Sequence, residues 1–140
     1  MRKVLSAILA MMLIVSLAVP SFAAATGENA ISPRYTYIKM LTANLSIDEN
    51  SGVSNSRASC YSANGYTVEI ECKLQRQTSS GWSTLKTWTA TGSGYASINQ
   101  DWAVASGYTY QAYITYRICN AAGTVLESTS TSRTYVYPPN

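Results

Sequence analysis

Along residues 66–77, apolar and polar side chains alternate: Tyr66, Val68, Ile70, Cys72 and Leu74 on one side, Thr67, Glu69, Glu71, Lys73 and Gln75 on the other. A period of two turns one set onto a core and leaves the other in water, as in an antiparallel sheet. The same period places Tyr108, Tyr110, Ala112, Ile114, Tyr116 and Ile118 on one face of residues 108–118, and Ile98, Trp102 and Val104 on one face of 95–104. Further strands are predicted over 34–40, 43–47, 53–62, 82–90 and 124–137. Turn residues separate them at 48–52, Asn64-Gly65, 79–81, 91–94, Ser106-Gly107 and 120–123, and no long 3.6-residue periodicity intervenes. Seven or eight short strands at this spacing predict an all-β fold, an antiparallel immunoglobulin-like β-sandwich. A small closed β-barrel would show the same pattern. The expected core is Val68, Ile70, Cys72, Leu74, Ile98, Trp102, Ile114 and Ile118. Tyr108 and Tyr110, following Gly107 at a strand start, are the candidates for a tyrosine corner.

The chain's start departs from this pattern. Arg2 and Lys3 precede an apolar run over 4–19 that only Ser6 and Ser16 interrupt; Pro20 ends it, and Ser21-Phe22-Ala23 supplies the small residues a signal peptidase reads. Residues 1–23 are therefore expected to be a secretory signal peptide, cleaved after Ala23 or Ala25. The run is shorter than the ~20 residues that cross a bilayer. Small, polar residues 24–33 read as a flexible arm, and 34–140 as one β-sandwich domain. Neither a lipidation cysteine after the cleavage site nor a sorting signal at Pro138-Pro139-Asn140 is visible, so the product is expected free, secreted and extracellular, with no membrane attachment after cleavage.

Composition narrows the function classes. The chain has ten basic and seven acidic residues, and Arg2 and Lys3 leave with the leader. The remaining basic residues are scattered and form no stripe that could neutralise a run of phosphates, which argues against nucleic acid as a partner. There is no His, and the single Phe, Phe22, lies in the leader. Without His, the Ser-His-Asp and Cys-His catalytic arrangements and most common zinc sites are excluded. Glu69 and Glu71 sit ~7 Å apart on one strand face; paired carboxylates can cleave glycosides, but an open face beside Lys73 reads as a solvated surface. Asp48-Glu49-Asn50 carries oxygen ligands but falls short of a calcium loop and reads as an acidic turn. No catalytic residue, cofactor or metal ligand is expected.

An exported chain permits disulfides, and three cysteines leave one over. Cys60 and Cys119 stand at the ends of the second and sixth strands, where an inter-sheet bridge commonly forms, and are the first disulfide candidate. Cys119 breaks the parity set by Ile118, so Cys60–Cys72 is the second, and no bridge or another pairing the third.

Leu45-Ser46-Ile47, Arg57-Ala58-Ser59-Cys60, Leu74-Gln75-Arg76-Gln77, the run from Ser80-Gly81-Trp82-Ser83 through Thr84-Leu85-Lys86-Thr87-Trp88, and Gly107-Tyr108-Thr109-Tyr110-Gln111-Ala112 form a series. It resembles a family of small secreted proteins of unknown function from Gram-positive bacteria. The resemblance covers most of the chain after the leader and implies a bacterial, single-domain, released protein. It carries over no activity, substrate or catalytic residue, and Cys72 and Cys119 stand outside its pattern.

Recognition is the chemistry left. Eleven Tyr and three Trp supply the aromatic groups of the exported part. With Phe absent they must fill the core, and Trp88 and Trp102 are assigned there. Trp82 at its turn and Tyr113, opposite in parity to Ile114, are the candidates for exposure and ligand contact. Flat rings among Ser, Thr and Asn suit a sugar, whose C–H face is apolar and whose rim hydrogen-bonds. The expected function is a secreted, non-catalytic binding or interaction module, with extracellular glycan or another protein as partner. A bacteriocin- or toxin-like effector is the alternative, and an enzyme the least supported reading. The intact mass of protein recovered from culture medium should correspond to a chain starting at Ala24 or Thr26; retention of residues 1–23 in a membrane fraction would overturn the assignment.

Overall fold

The computed structural model describes residues 34–140; the leader and the arm lie outside them. Seven strands follow in order: β1 (Ile38–Asp48), β2 (Val53–Ser62), β3 (Thr67–Thr78), β4 (Gly81–Ser93), β5 (Tyr95–Ala103), β6 (Tyr108–Cys119) and β7 (Val125–Tyr137). They form a three-stranded sheet, β1-β2-β5, and a four-stranded sheet, β4-β3-β6-β7, with every pair antiparallel. The two sheets face each other and do not close into a barrel, which gives an immunoglobulin-like sandwich.

Alternation settles which side chains lie between the sheets. β3 turns Val68, Ile70, Cys72 and Leu74 inward, and β6 turns Tyr110, Ala112, Ile114, Tyr116 and Ile118 inward; all are buried. Across from them, the middle strand of the smaller sheet presents short groups, Ser54, Ser56, Ala58 and Cys60, and these too are buried. Large residues on one sheet interdigitate with small ones on the other, as close packing requires. The tyrosine hydroxyls are satisfied: that of Tyr116 donates to the Thr42 carbonyl on the opposite sheet, and that of Tyr110 to Ala105 O at 2.7 Å. Tyr110, not Tyr108, is thus the tyrosine corner.

Three expectations are corrected. Residues 34–40 and 43–47 do not form two strands; Leu41, Thr42 and Ala43 all pair with β2, and one register shift between Ile38 and Met40 lets β1 run unbroken. Trp102 is 39% exposed: it has inward parity but lies where β5 and β4 border each other at the open side of the sandwich. Trp88 is half-buried and packs against the core. Tyr108, expected inward, is exposed at the start of β6, with the Arg76 guanidinium 4.6 Å over its ring.

Turn chemistry explains where the chain changes sheet. Asn64 and Gly65 adopt φ of +53° and +67°, which Asn tolerates and Gly allows freely, and the single turn Ala63–Gly65 passes from β2 to β3. Between β4 and β5 only Gly94 lies outside the strands, because Gly92 and Ser93 still pair with Val68 and Thr67. A Cβ at Gly92 would collide with the Tyr95 carbonyl oxygen, so no other residue fits without moving the backbone.

The start of the domain is held by one carboxylate. Glu127 of β7 accepts the backbone N–H groups of Thr36, Tyr37 and Ile38 at 2.8, 2.9 and 2.7 Å. Burial opposes its ionisation, but these three bonds and nearby Lys39 outweigh it and hold the carboxyl below its ordinary pKa. A depressed carboxyl pKa contributes stability that is present above the unfolded value and lost as pH falls through the folded one. Glu127→Gln should therefore lower the melting temperature at neutral pH, and the gap to the wild type should close on acidification from about pH 7 to pH 3. Melting curves by circular dichroism that stay parallel across that range would refute the assignment.

Candidate ligand-binding face

The outer face of the three-stranded sheet is built in rows by the register of β1, β2 and β5. Met40 lies opposite Tyr61 and Tyr61 opposite Tyr95; Thr42 opposite Ser59 and Ser59 opposite Ser97; Asn44 opposite Arg57 and Arg57 opposite Asn99; Asn55 opposite Asp101. The inward set Ala58, Cys60, Ala96 and Ile98 forces the intervening residues of both strands outward. The face thus runs from an apolar row through a row of short hydroxyls to a row of amides and charges.

In the first row Met40, Tyr61 and Tyr95 are 53, 42 and 41% exposed. The two tyrosine rings lie 4.4 Å apart between centroids with their planes tilted by 35°, so they act as one broad apolar surface. In the second row the Thr42 and Ser59 hydroxyls share a hydrogen bond of 2.7 Å. Beyond it lies a connected polar network: Arg57 Nε donates to Asn55 Oδ1 at 2.6 Å and to Asn99 Oδ1 at 3.2 Å. Asn55 Nδ2 donates to Asn99 Oδ1 at 2.9 Å and to Asp101 Oδ1 at 2.6 Å. Because the short hydroxyl row lies between taller neighbours, the surface dips there into a shallow depression of about 350 Å³ lined by Tyr95, Thr42, Ser59, Ser97, Arg57 and Asn99. That volume is at the lower end for small-ligand sites, roughly 300–1,000 Å³.

The other exposed aromatics are placed differently. Trp82 and Tyr113 are both 39% exposed and lie on the outer face of the four-stranded sheet. Trp82 pairs with Gln77 and Tyr113 with Lys73; with β3 between their strands, two strand spacings and four residues of stagger put their Cα atoms roughly 16 Å apart. The Gln111–Gln75 hydrogen bond, 2.7 Å, lies between them. The structure exposes both residues but does not bring them together, and neither meets another aromatic ring. The face of Trp102 is taken by the Lys86 ammonium at 5.0 Å and its flank by Trp88, centroid to centroid 6.5 Å. Tyr61 and Tyr95 were missed by sequence reasoning. Their outward parity was readable from Cys60 and Ile98, but their adjacency depends on β2 pairing with β5 across two intervening strands.

The acidic candidates are engaged elsewhere. Glu71 pairs with Lys73 at 3.0 Å on the open outer face of β3. Asp48 accepts the Asn50 N–H and the Ser51 hydroxyl within its own turn, which lowers its pKa. Glu49 accepts the Tyr135 hydroxyl at 2.9 Å.

The expected Cys60–Cys119 bridge is absent: Cys60, Cys72 and Cys119 are free and buried. Cys60 points into the core from β2, whereas Cys119, opposite in parity to Ile118, pairs with Thr67 in unbroken register and lies on the side where Glu69 acts on it; a register shift sets it against Val125 of β7. Nor do Cys60 and Cys72 meet. Cys72 lies against Ser56, four residues along β2 from Cys60, roughly 13 Å of strand, and a bridge needs Cα atoms within about 7 Å. Ser56 Oγ, buried in the same spot, makes no hydrogen bond. Burial pushes the Cys60 and Cys72 thiols up to about 11, with Glu127 adding to the first.

The chain matches no protein-family model and no curated protein.

Such thiols are protonated and shielded at neutral pH, and the thiolate is the reactive form. Ellman's reagent should react slowly with the native protein and release three equivalents in denaturant without reductant. A single equivalent would show that two of the cysteines are bridged.

Proposed function

We propose that the protein is exported and acts as a non-catalytic binding module through the outer face of the three-stranded sheet. The observation that carries this reading is the continuity of the Met40–Tyr61–Tyr95 strip with a dipped row of hydroxyls and a fixed polar network, all on one exposed face. Exposed aromatic anchors beside preordered polar groups are the usual composition of a recognition surface. A rigid sheet holds such groups in place without an ordering cost on binding. The pattern of residues 1–23 supports export, and the lack of His leaves no Ser-His-Asp or Cys-His arrangement. The small Gram-positive family that the sequence resembles makes the surface of such cells the first place to look for a partner.

Protein produced from the full-length chain, labelled fluorescently, should be retained on intact Gram-positive cells. Tyr61→Ala with Tyr95→Ala should abolish retention in a protein whose circular-dichroism spectrum shows that it still folds, while Trp82→Ala with Tyr113→Ala should leave retention intact. Retention that depends on the second pair and not the first would move the binding face to the other sheet; no retention at all would remove the reading.

A further inference from the structure

We infer that the ligand of this face is a neutral oligosaccharide, one sugar ring stacking on the Tyr61–Tyr95 surface and the next lying in the hydroxyl-lined dip against Arg57 and Asn99. The inference rests on the binding reading above and gives it a ligand class.

Charge is the first argument. The only guanidinium of the network, Arg57, is matched by the only carboxylate, Asp101, joined through Asn55. The network is neutral as a whole, and the Arg57 Nε proton is already committed to two amide oxygens. An anion gains little from a guanidinium whose charge is balanced and whose fork is partly occupied. A ligand of many hydroxyls, each both donor and acceptor, gains more.

The unused groups fit such a ligand. Among the described residues no protein atom accepts from the terminal nitrogens of Arg57, the Asn99 Nδ2 or the Ser97 hydroxyl, and the second oxygen of Asp101 is free to accept. Arg57, Asn99 and Ser97 border the dip, the first two held in position by bonds on their other sides, and Asp101 lies one row beyond.

The aromatic surface is the second argument. Arg76 covers Tyr108 and Lys86 covers Trp102, while Trp82 and Tyr113 are solitary. Tyr61 and Tyr95 alone among the described residues combine two exposed rings in contact with no cation over either. Alternate rows of a strand are ~7 Å apart, so the polar row at Arg57 and Asn99 begins about two rows, ~14 Å, from the tyrosines, with the dip between. That arrangement suits adjoining rings of a chain better than a single compact molecule. A peptide strand is a poorer match, since peptides add to sheet edges through backbone bonds and this is a sheet face.

The test is calorimetric titration of the full-chain product with cello-, xylo-, laminari-, malto- and chitohexaose, and with heparin and polyphosphate as anionic probes. At least one neutral hexasaccharide should bind and the anions should not. Tyr95→Ala should weaken that binding on the order of tenfold or more, Tyr95→Phe should keep it within about threefold because the ring remains, and Trp82→Ala should leave it unchanged. Arg57→Ala should weaken it in a domain that remains folded by circular dichroism. Silence of every neutral probe, or binding of the anions in their place, would overturn the sugar. If cells still retain the protein in a Tyr61- and Tyr95-dependent way, the binding role survives that failure; if they do not, both fall.

Discussion

The packing of large side chains from β3 and β6 against the small ones that β2 turns inward is the constraint on which the rest of the structure depends. Tyr110 and Tyr116 are bulky, and each brings into the interior a hydroxyl that must find an acceptor. Ser54, Ser56, Ala58 and Cys60 make the room. The acceptors are backbone carbonyls, and one of them, that of Thr42, belongs to the opposite sheet. The Tyr116 hydroxyl therefore ties β6 to β1 directionally, which apolar packing alone does not do. Tyr137, whose hydroxyl donates to Glu49 O at 3.0 Å, repeats the device at the sandwich end.

A small inward side on β2 has a consequence for its other side. Strands whose inner residues are short must draw some of their stability from elsewhere, and here cross-strand pairs on the outer face contribute: Tyr61 with Tyr95, Ser59 with Thr42, Arg57 with Asn99. The groups proposed to recognise a ligand are thus also groups that bind β2 to its neighbours. The same pairing holds them in fixed positions before any ligand arrives. The four-stranded sheet shows the contrast. Its core side carries the large apolar residues, and its outer side is a solvated array of Thr, Ser, Gln, Glu and Lys with two separated aromatics.

The cysteines fit the same picture of a core that supports itself without cross-links. Cys60 and Cys72 act as small buried groups on facing sheets, too far apart along the strands to join, and their thiols are pushed away from the reactive thiolate by burial. A chain of this size can bury enough surface to fold without a bridge, and the tyrosine hydroxyl bonds supply cross-sheet specificity that a disulfide often supplies in sandwiches.

The period-two pattern by itself determined the strands, their faces and most of the core: Val68, Ile70, Cys72, Leu74, Ile98, Ile114 and Ile118 are buried as their parity requires. Local chemistry does this, because alternation and turn residues act within a few positions. Parity says which side a residue faces, not how far along the sandwich it lies, and so Trp102 and Tyr108 have inward parity yet reach solvent at the margins. The sequence also showed Trp82 and Tyr113 as surface aromatics, but not the distance between them. Only the tertiary structure decided that β2 pairs with β5, which sets Tyr61 against Tyr95 and Arg57 against Asn99. That pairing joins residues with two other strands between them in the chain, and it follows from how both sheets close over one core rather than from any neighbouring residues.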